Sequence, residues 1–175
     1  MEIQLDRVLR GRILDIGGGG EGIIGRLYTS QVVAIDNRRE ELEEAPEGFE
    51  KMLMDATELD FPDQTFDHVT FFFTLMFMTT HEQQRAIEEA ARVLRPGGQL
   101  HIWDCEISCA YPEPFCVDVD ILLPEERVCT TYGVGKLDTQ DENTIRQMCL
   151  SAGLTLVTRQ IGAQGFSLGF QKVEQ

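Results

Sequence analysis

The run GRILDIGGGGEG, Gly11 to Gly22, narrows the fold of this chain more than any other stretch. Four consecutive glycines follow a short apolar run, with Asp15 inside that run and Glu21 just after the glycines. Ile13 to Ile16 reads as a buried strand, and Ile23, Ile24 and Leu27 then take helical spacing. One glycine suffices for a tight strand-to-helix turn. Four give the backbone access to positive φ and leave bare main chain that a ligand can touch with no Cβ between. In an open parallel sheet such a ligand lies outside the carboxyl ends of the strands, where the strand order reverses.

The rest of the chain supplies that sheet. Gln31 to Ile35 is a β-branched second strand ending at Asp36, and Asn37 is placed to cap the charged helix RREELEEA. Lys51 to Met54 is a third strand ending at Asp55. Val69 to Phe73 is a fourth, apolar but for Thr70 and so expected to be buried on both faces. Thr79 or Thr80 caps a long helix from His81 to Leu94, and Arg95-Pro96-Gly97-Gly98 stops it before a fifth strand, Gln99 to Trp103. Strand and helix alternate to this point, which implies a parallel sheet with helices on both faces.

Asp104 to Asp138 breaks the rhythm. Val117, Val119 and Ile121 alternate with Asp118 and Asp120, and Arg127 to Val134 is a second β-rich run. The pair reads as an antiparallel hairpin standing off the sheet. Thr139 and Glu142 have capping-box spacing for a helix ending at Gly153. Leu154 to Ile161 and Phe166 to Val173 complete the chain as an antiparallel pair of strands. The expectation is one α/β domain over 1–175. Its core is a doubly wound, mostly parallel seven-stranded Rossmann-like sheet with an antiparallel last strand. A β-hairpin is inserted over 104–138, after strand five.

Charge and composition limit the partners. The formal net charge is −15, and so acidic a surface repels phosphate backbones; nucleic acid and anionic membranes are disfavoured. No apolar run approaches the ~20 residues of a membrane helix. MEIQLDRVLR carries no apolar signal segment, so a cytoplasmic location is expected. Five cysteines without C-x-x-C spacing read as reduced thiols, and no metal site is expected.

The ligand is read from the strand ends together. Gly17-x-Gly19-x-x-Gly22 satisfies a dinucleotide fingerprint, with Asp36 near the offset of a ribose-binding acid. A nicotinamide-dependent oxidoreductase is therefore one reading. Asp36 can accept from two ribose hydroxyls, Asp55 from an adenine amine, and the Ala56 N–H can donate to a ring nitrogen. Those contacts describe an adenosine laid across three strand ends.

At these residues the sequence resembles the class I S-adenosylmethionine-dependent methyltransferases. The resemblance rests on ILDIGGGGEG, VVAIDN, MLMDATELDFPDQTFDHV and ARVLRPGGQLHIWD, in that order, from Arg12 to Trp103. It implies S-adenosylmethionine as cofactor. Gly17, Gly18 and Gly19 then approach its methionine part, Asp15 anchors the loop, and Asp36 holds the ribose. Asn37 lies beside the adenine that Asp55 and Ala56 recognise, and backbone at Phe71 or Phe72 meets the cofactor's amino group. Two positions depart from the family pattern. The usual third glycine is Glu21, which bulges the loop and aims a carboxylate at the cofactor's cationic end. The polar pair common after strand four is Met76-Phe77, a greasy wall without a base.

Methyl transfer from a sulfonium needs alignment more than acid–base help. The base candidates are Asp104 and Glu106 at the end of strand five, then His81 and Tyr132. A small molecule is the default acceptor and a protein the second. A non-catalytic cofactor-binding or partner subunit is the alternative from another class. The apolar face of the 116–134 hairpin looks poorly buried on a lone copy, so a homodimer through it is also expected.

Overall fold

In the computed structural model, residues 1–109, 111–136 and 138–173 are described. The expected insert over 104–138 includes Ala110 and Leu137, and the expected domain over 1–175 ends in Glu174 and Gln175. Those four positions lie outside the described residues.

The chain runs β1 (Glu2–Gln4), β2 (Ile13–Ile16), α1 (Ile23–Tyr28), β3 (Val32–Asp36), α2 (Arg39–Glu44), β4 (Glu50–Leu53) and β5 (Phe66–Phe72). It continues through α3 (Thr80–Val93), β6 (Leu94–Cys105), β7 (Phe115–Leu122), β8 (Arg127–Val134), α4 (Glu142–Ser151), β9 (Leu154–Ile161) and β10 (Gly165–Lys172). Seven strands form one sheet in the order β4-β3-β2-β5-β6-β10-β9. Neighbours from β4 to β6 pair parallel, and β10 pairs antiparallel to both β6 and β9. The chain winds outward from β2 to β4 and then returns to β5 on the other side of β2. The strand order thus reverses between β2 and β5, and the glycine turn follows β2.

All four residues of β2 are buried, as are Val69 to Phe72 of β5, because helices and the small sheet cover both faces. Under one face, Ala86, Ile87 and Ala90 of α3 and Ile145 of α4 pack on Leu14, Val69, Phe71 and Ile102. A capping box starts α3, with Thr79 accepting from Glu82 N–H while the Glu82 carboxylate accepts from Thr79 N–H at 2.7 Å. Of the two threonines in play, Thr79 is the cap.

Local expectations are corrected at several places. Asn37 caps nothing: the residue before α2 is Arg38, whose N–H donates to Asp36 Oδ1 at 2.9 Å. Asp141, not Thr139, caps α4, and Glu142 instead pairs with Arg146 and Arg159. β6 starts at Leu94, well before Gln99, because Leu94 already pairs with Phe66; the LRPGG turn lies inside the strand as a register shift.

The largest correction concerns the second sheet. β7 and β8 pair antiparallel, and β1 joins β7 in parallel, giving a three-stranded sheet in the order β1-β7-β8. This sheet does not stand off. Val117, Val119 and Ile121 are at most 2% exposed and share a cluster with Leu5, Leu9, Ile24, Leu27 and Phe73. Each such side chain stabilises by roughly 1.5–3 kcal/mol on full burial. The apolar face is therefore satisfied within one chain, and the reason for a dimer through it falls away.

Candidate functional site

The site begins at the turn after β2. Gly17 has φ +74°, and a Cβ there would lie 2.3 Å from Thr74. A Cβ at Gly19 would lie 2.5 Å from Glu41 and 2.9 Å from Asp36 Oδ2. The glycines thus let the loop pass against Thr74, Asp36 and Glu41 with nothing between. The N–H groups of Gly17 and Gly18 both donate to Ile35 O, at 2.8 and 3.0 Å, and Gly20 N–H donates to Glu41 O at 2.8 Å. A pyrophosphate loop keeps such groups free for its ligand. This loop spends them on β3 and α2.

Asp15 lies beneath the loop, 2% exposed, with the Thr70 hydroxyl donating to its Oδ1 at 2.6 Å. Burial pushes its carboxyl up to about 7; the Thr70 bond opposes the rise, and the nearby negative charge of Asp36 adds to it. Asp36 and Asp55 follow a shared pattern. Asp36 Oδ1 closes a turn through Arg38 N–H, and Asp55 Oδ1 accepts from Thr57 N–H at 2.8 Å and from its hydroxyl at 2.7 Å. The second oxygen of each has no donor among the described residues.

These residues surround one cavity of about 620 Å³, within the range of small-ligand sites. Asp15, Gly17, Gly18, Gly19, Glu21, Asp36, Asn37, Asp55, Ala56 and Phe72 all line it, and so does Tyr132. β8 closes one side. Thr130 Oγ1 and Tyr132 OH both donate to the Glu21 carboxylate, the latter at 3.4 Å. The Tyr132 ring stacks on Phe73 with centroids 4.8 Å apart and planes 10° apart. Burial, then the Glu21 charge, push the Tyr132 phenol up, so it stays a hydrogen-bond donor. Glu21, expected to face a cofactor cation freely, is held by two hydroxyls of the neighbouring sheet.

The lining is acidic. Asp15, Glu21, Asp36, Glu41, Asp55 and Glu82 contribute carboxylates. Arg38 is the one Lys or Arg among the described lining residues, and it pairs with Glu41 at 2.8 Å. A pyrophosphate finds only this paired cation among the described lining residues, whereas a sulfonium or ammonium finds several anions.

Residues 14–102 match a protein family described as a methyltransferase domain. The chain belongs to that family. It is 30% identical to the ubiquinone/menaquinone biosynthesis C-methyltransferase of Pseudomonas fluorescens, over 98% of this chain and 70% of that protein. It is 40% identical to the phosphatidylethanolamine N-methyltransferase of Cereibacter sphaeroides over 53% of its own length. The match covers 49% of that relative, so the chain spans about half of it, and only 35% of a rice chloroplast 2-methyl-6-phytyl-1,4-hydroquinone methyltransferase. The fold is that of an S-adenosylmethionine-dependent methyltransferase from Methanosarcina mazei, with TM-score 0.71, 20% identity and 95% of each chain covered.

Membership of this family sets aside the nicotinamide reading, in agreement with the spent loop amides and the acidic lining. The family's cofactor is S-adenosylmethionine, whose sulfonium and ammonium suit a cavity lined by anions. Three of the expected base positions lie outside the cavity lining. Asp104 is 1% exposed; its Oδ1 accepts from Cys105 N–H and Gln140 Nε2, each at 2.8 Å, and its Oδ2 from Met76 N–H at 3.3 Å. It ties the loop after β5 to the bridge between Ile107 and Gln140. Burial raises its carboxyl to about 6, opposed by those three donors. Glu106 accepts from Glu142 N–H at 3.1 Å at the start of α4. His81 lines an adjoining depression with Glu58 and Arg85, which shares Thr57 and Glu82 with the cavity. Met76 is fully buried in the core, so the greasy wall is made by Phe77 and Met78.

Sequence reasoning missed Thr74, Glu41 and Thr131, which also line the cavity. Thr74 was open to detection as a lone hydroxyl ending an apolar strand. Glu41 and Thr131 carried no signal, since each is one polar residue in an exposed, polar-alternating segment.

No helix among the described residues is long and apolar enough to cross a membrane. All five cysteines are free, and no group of three metal-ligating side chains occurs among the described residues.

Proposed function

We propose that this chain transfers a methyl group from S-adenosylmethionine to a small-molecule acceptor. The observation that carries the reading is the cavity at the strand reversal, where the glycine turn, Asp36 and Asp55 meet with anions and no phosphate donor. When bound, S-adenosylmethionine supplies an electrophilic methyl group on a sulfonium. Asp36 offers its free carboxylate oxygen to the ribose hydroxyls, with Asn37 alongside the adenine. Asp55 and the Ala56 N–H take the adenine edge. Gly17, Gly18 and Gly19 let the methionine part approach main chain, and the Phe72 carbonyl serves its ammonium. Asp15, buried under the turn, holds the loop from below.

Alignment supplies most of the rate. A near-attack arrangement contributes ~7–11 kcal/mol without any proton transfer. The cavity suits this, since Phe72, Phe73, Phe77 and Tyr132 line it with aromatic surface. Small-molecule acceptors are supported by the relatives, whose names specify quinone precursors and a phospholipid.

Titration calorimetry with S-adenosylmethionine and S-adenosylhomocysteine tests the reading, with micromolar affinity expected for both. Absence of binding to either overturns it. Binding without transfer of a labelled methyl group to any cell-extract fraction favours a non-catalytic subunit.

A further inference from the structure

We infer that the acceptor is a small organic amine, received as its ammonium at the Glu21 carboxylate, beside the Tyr132 ring. The inference rests on the methyl-transfer reading above and names the substrate class of the same site.

The place follows from the topology. In the order β4-β3-β2-β5, Asp55 follows β4, Asp36 ends β3, the glycines follow β2 and Phe72 ends β5. An adenosine lying from β4 to β2 brings its methyl-bearing end to β5. The next residue is Phe73, and Tyr132 of the covering sheet stacks on it. The acceptor therefore meets the methyl group beside these two rings.

The chemistry follows from charge. Glu21 lines this end, and its carboxylate accepts from two hydroxyls, Thr130 and Tyr132; among the described residues no Lys or Arg pairs with that carboxylate, Arg26 bonding instead to the Glu21 main-chain carbonyl at 2.7 Å and to Glu126. A carboxylate attracts an ammonium by its charge, and Phe73 leaves one face of Tyr132 to add a ring quadrupole. Anionic acceptors are repelled by Glu21, and neutral ones gain a hydrogen bond from it without the charge attraction.

The step balances without another reagent. The ammonium gives a proton to the Glu21 carboxylate, which frees the nitrogen lone pair. That pair forms the nitrogen–carbon bond to the methyl group, and the carbon–sulfur pair remains on sulfur, which becomes a neutral thioether. The nitrogen takes up the positive charge as a methylammonium, and Glu21 releases its proton to water.

The test uses phenethylamine, phenethyl alcohol and 3-phenylpropanoate, similar in size and different in charge. Each is titrated by calorimetry into protein saturated with S-adenosylhomocysteine, and each is offered as acceptor with methyl-labelled cofactor. Phenethylamine is expected to bind at least about tenfold more tightly than the alcohol, the carboxylate not at all, and label is expected on nitrogen. Glu21→Gln is expected to weaken amine binding about tenfold and to weaken S-adenosylhomocysteine by less. Thr130→Val removes a hydroxyl from the same carboxylate but keeps its charge, and so retains amine affinity. The proposal is overturned if the alcohol binds as well as the amine, if no amine binds, or if label goes to carbon or oxygen. It is equally overturned if Glu21→Gln weakens S-adenosylhomocysteine and spares the amine, since Glu21 then serves the cofactor's own ammonium. Failure of unmodified protein to bind S-adenosylhomocysteine removes the methyl-transfer reading itself, a result distinct from all of these.

Discussion

The two walls of the cavity are built on different principles. The strand-end wall is main chain and short acids. Gly17 and Gly19 press against Thr74, Asp36 and Glu41, and each strand-end aspartate uses one oxygen to close its own turn. The β8 wall is side chain laid over side chain: Tyr132 on Phe73, and Thr130 and Tyr132 on Glu21. The first wall is local, since β2, β3 and β4 each deliver their contribution within a few residues. The second joins residues 109 and 111 positions apart along the chain, and stands only because the three-stranded sheet shares the core. The contrast teaches that, in the proposed reading, cofactor recognition would belong to the backbone of one sheet and the acceptor end to the packing between two.

Breaking the strand-end wall has the largest expected effect. Gly19→Val puts atoms where Asp36 Oδ2 and Glu41 already stand, and is expected to reduce S-adenosylmethionine affinity more than about 100-fold by calorimetry. Ile121→Ala attacks the other wall through its fully buried face, with an expected loss of about 3 kcal/mol in urea unfolding. If the two sheets form one core, that loss appears as a lower midpoint of a single transition. Two separate transitions break the comparison. Asp36→Ala removes a charged acceptor at the strand end and is expected to weaken cofactor binding by about 2 kcal/mol, or roughly 30-fold, with little change in unfolding.

Protons sharpen the contrast further. With its carboxyl raised to about 7 by burial, folded Asp15 holds a proton between about pH 4 and 7 that the unfolded chain has released. Stability therefore falls as pH rises through that window, by up to ~1.4 kcal/mol per pH unit. Asp15→Asn is expected to flatten this part of the stability profile. Asn37→Ala is expected to do least, changing stability by no more than ~0.5 kcal/mol, because Asn37 makes no cap.

Much of the parallel half was legible from residues. β2 and β3 are short apolar runs ending at glycine and aspartate, β5 is apolar from Val69 but for Thr70, and a strand buried on both faces has little other way to be written. The same runs pointed to Asp36, Asp55 and the glycines, which the structure gathers around one cavity. Less was legible where one residue type serves two ends. Asn37 is a good cap by type, but Asp36 closes that turn first. Thr139 and Glu142 have the spacing of a capping box, yet Asp141 starts the helix and Glu142 is drawn to Arg146 and Arg159. Asp104 follows an apolar strand as the other site acids do, but burial and three donors make it a structural tie.

By itself the sequence determined the alternation of strands and helices, the glycine turn and the acids at the strand ends. These are properties of neighbouring residues, written in periodicity and turn chemistry. Only the tertiary structure decided that Glu2 to Gln4 would become a third strand beside β7 and that this sheet would fold down onto the core. It likewise decided that Thr130 and Tyr132 would close on Glu21. Those contacts depend on which distant apolar faces find each other, and an alternating strand states that it has such a face without naming what will cover it.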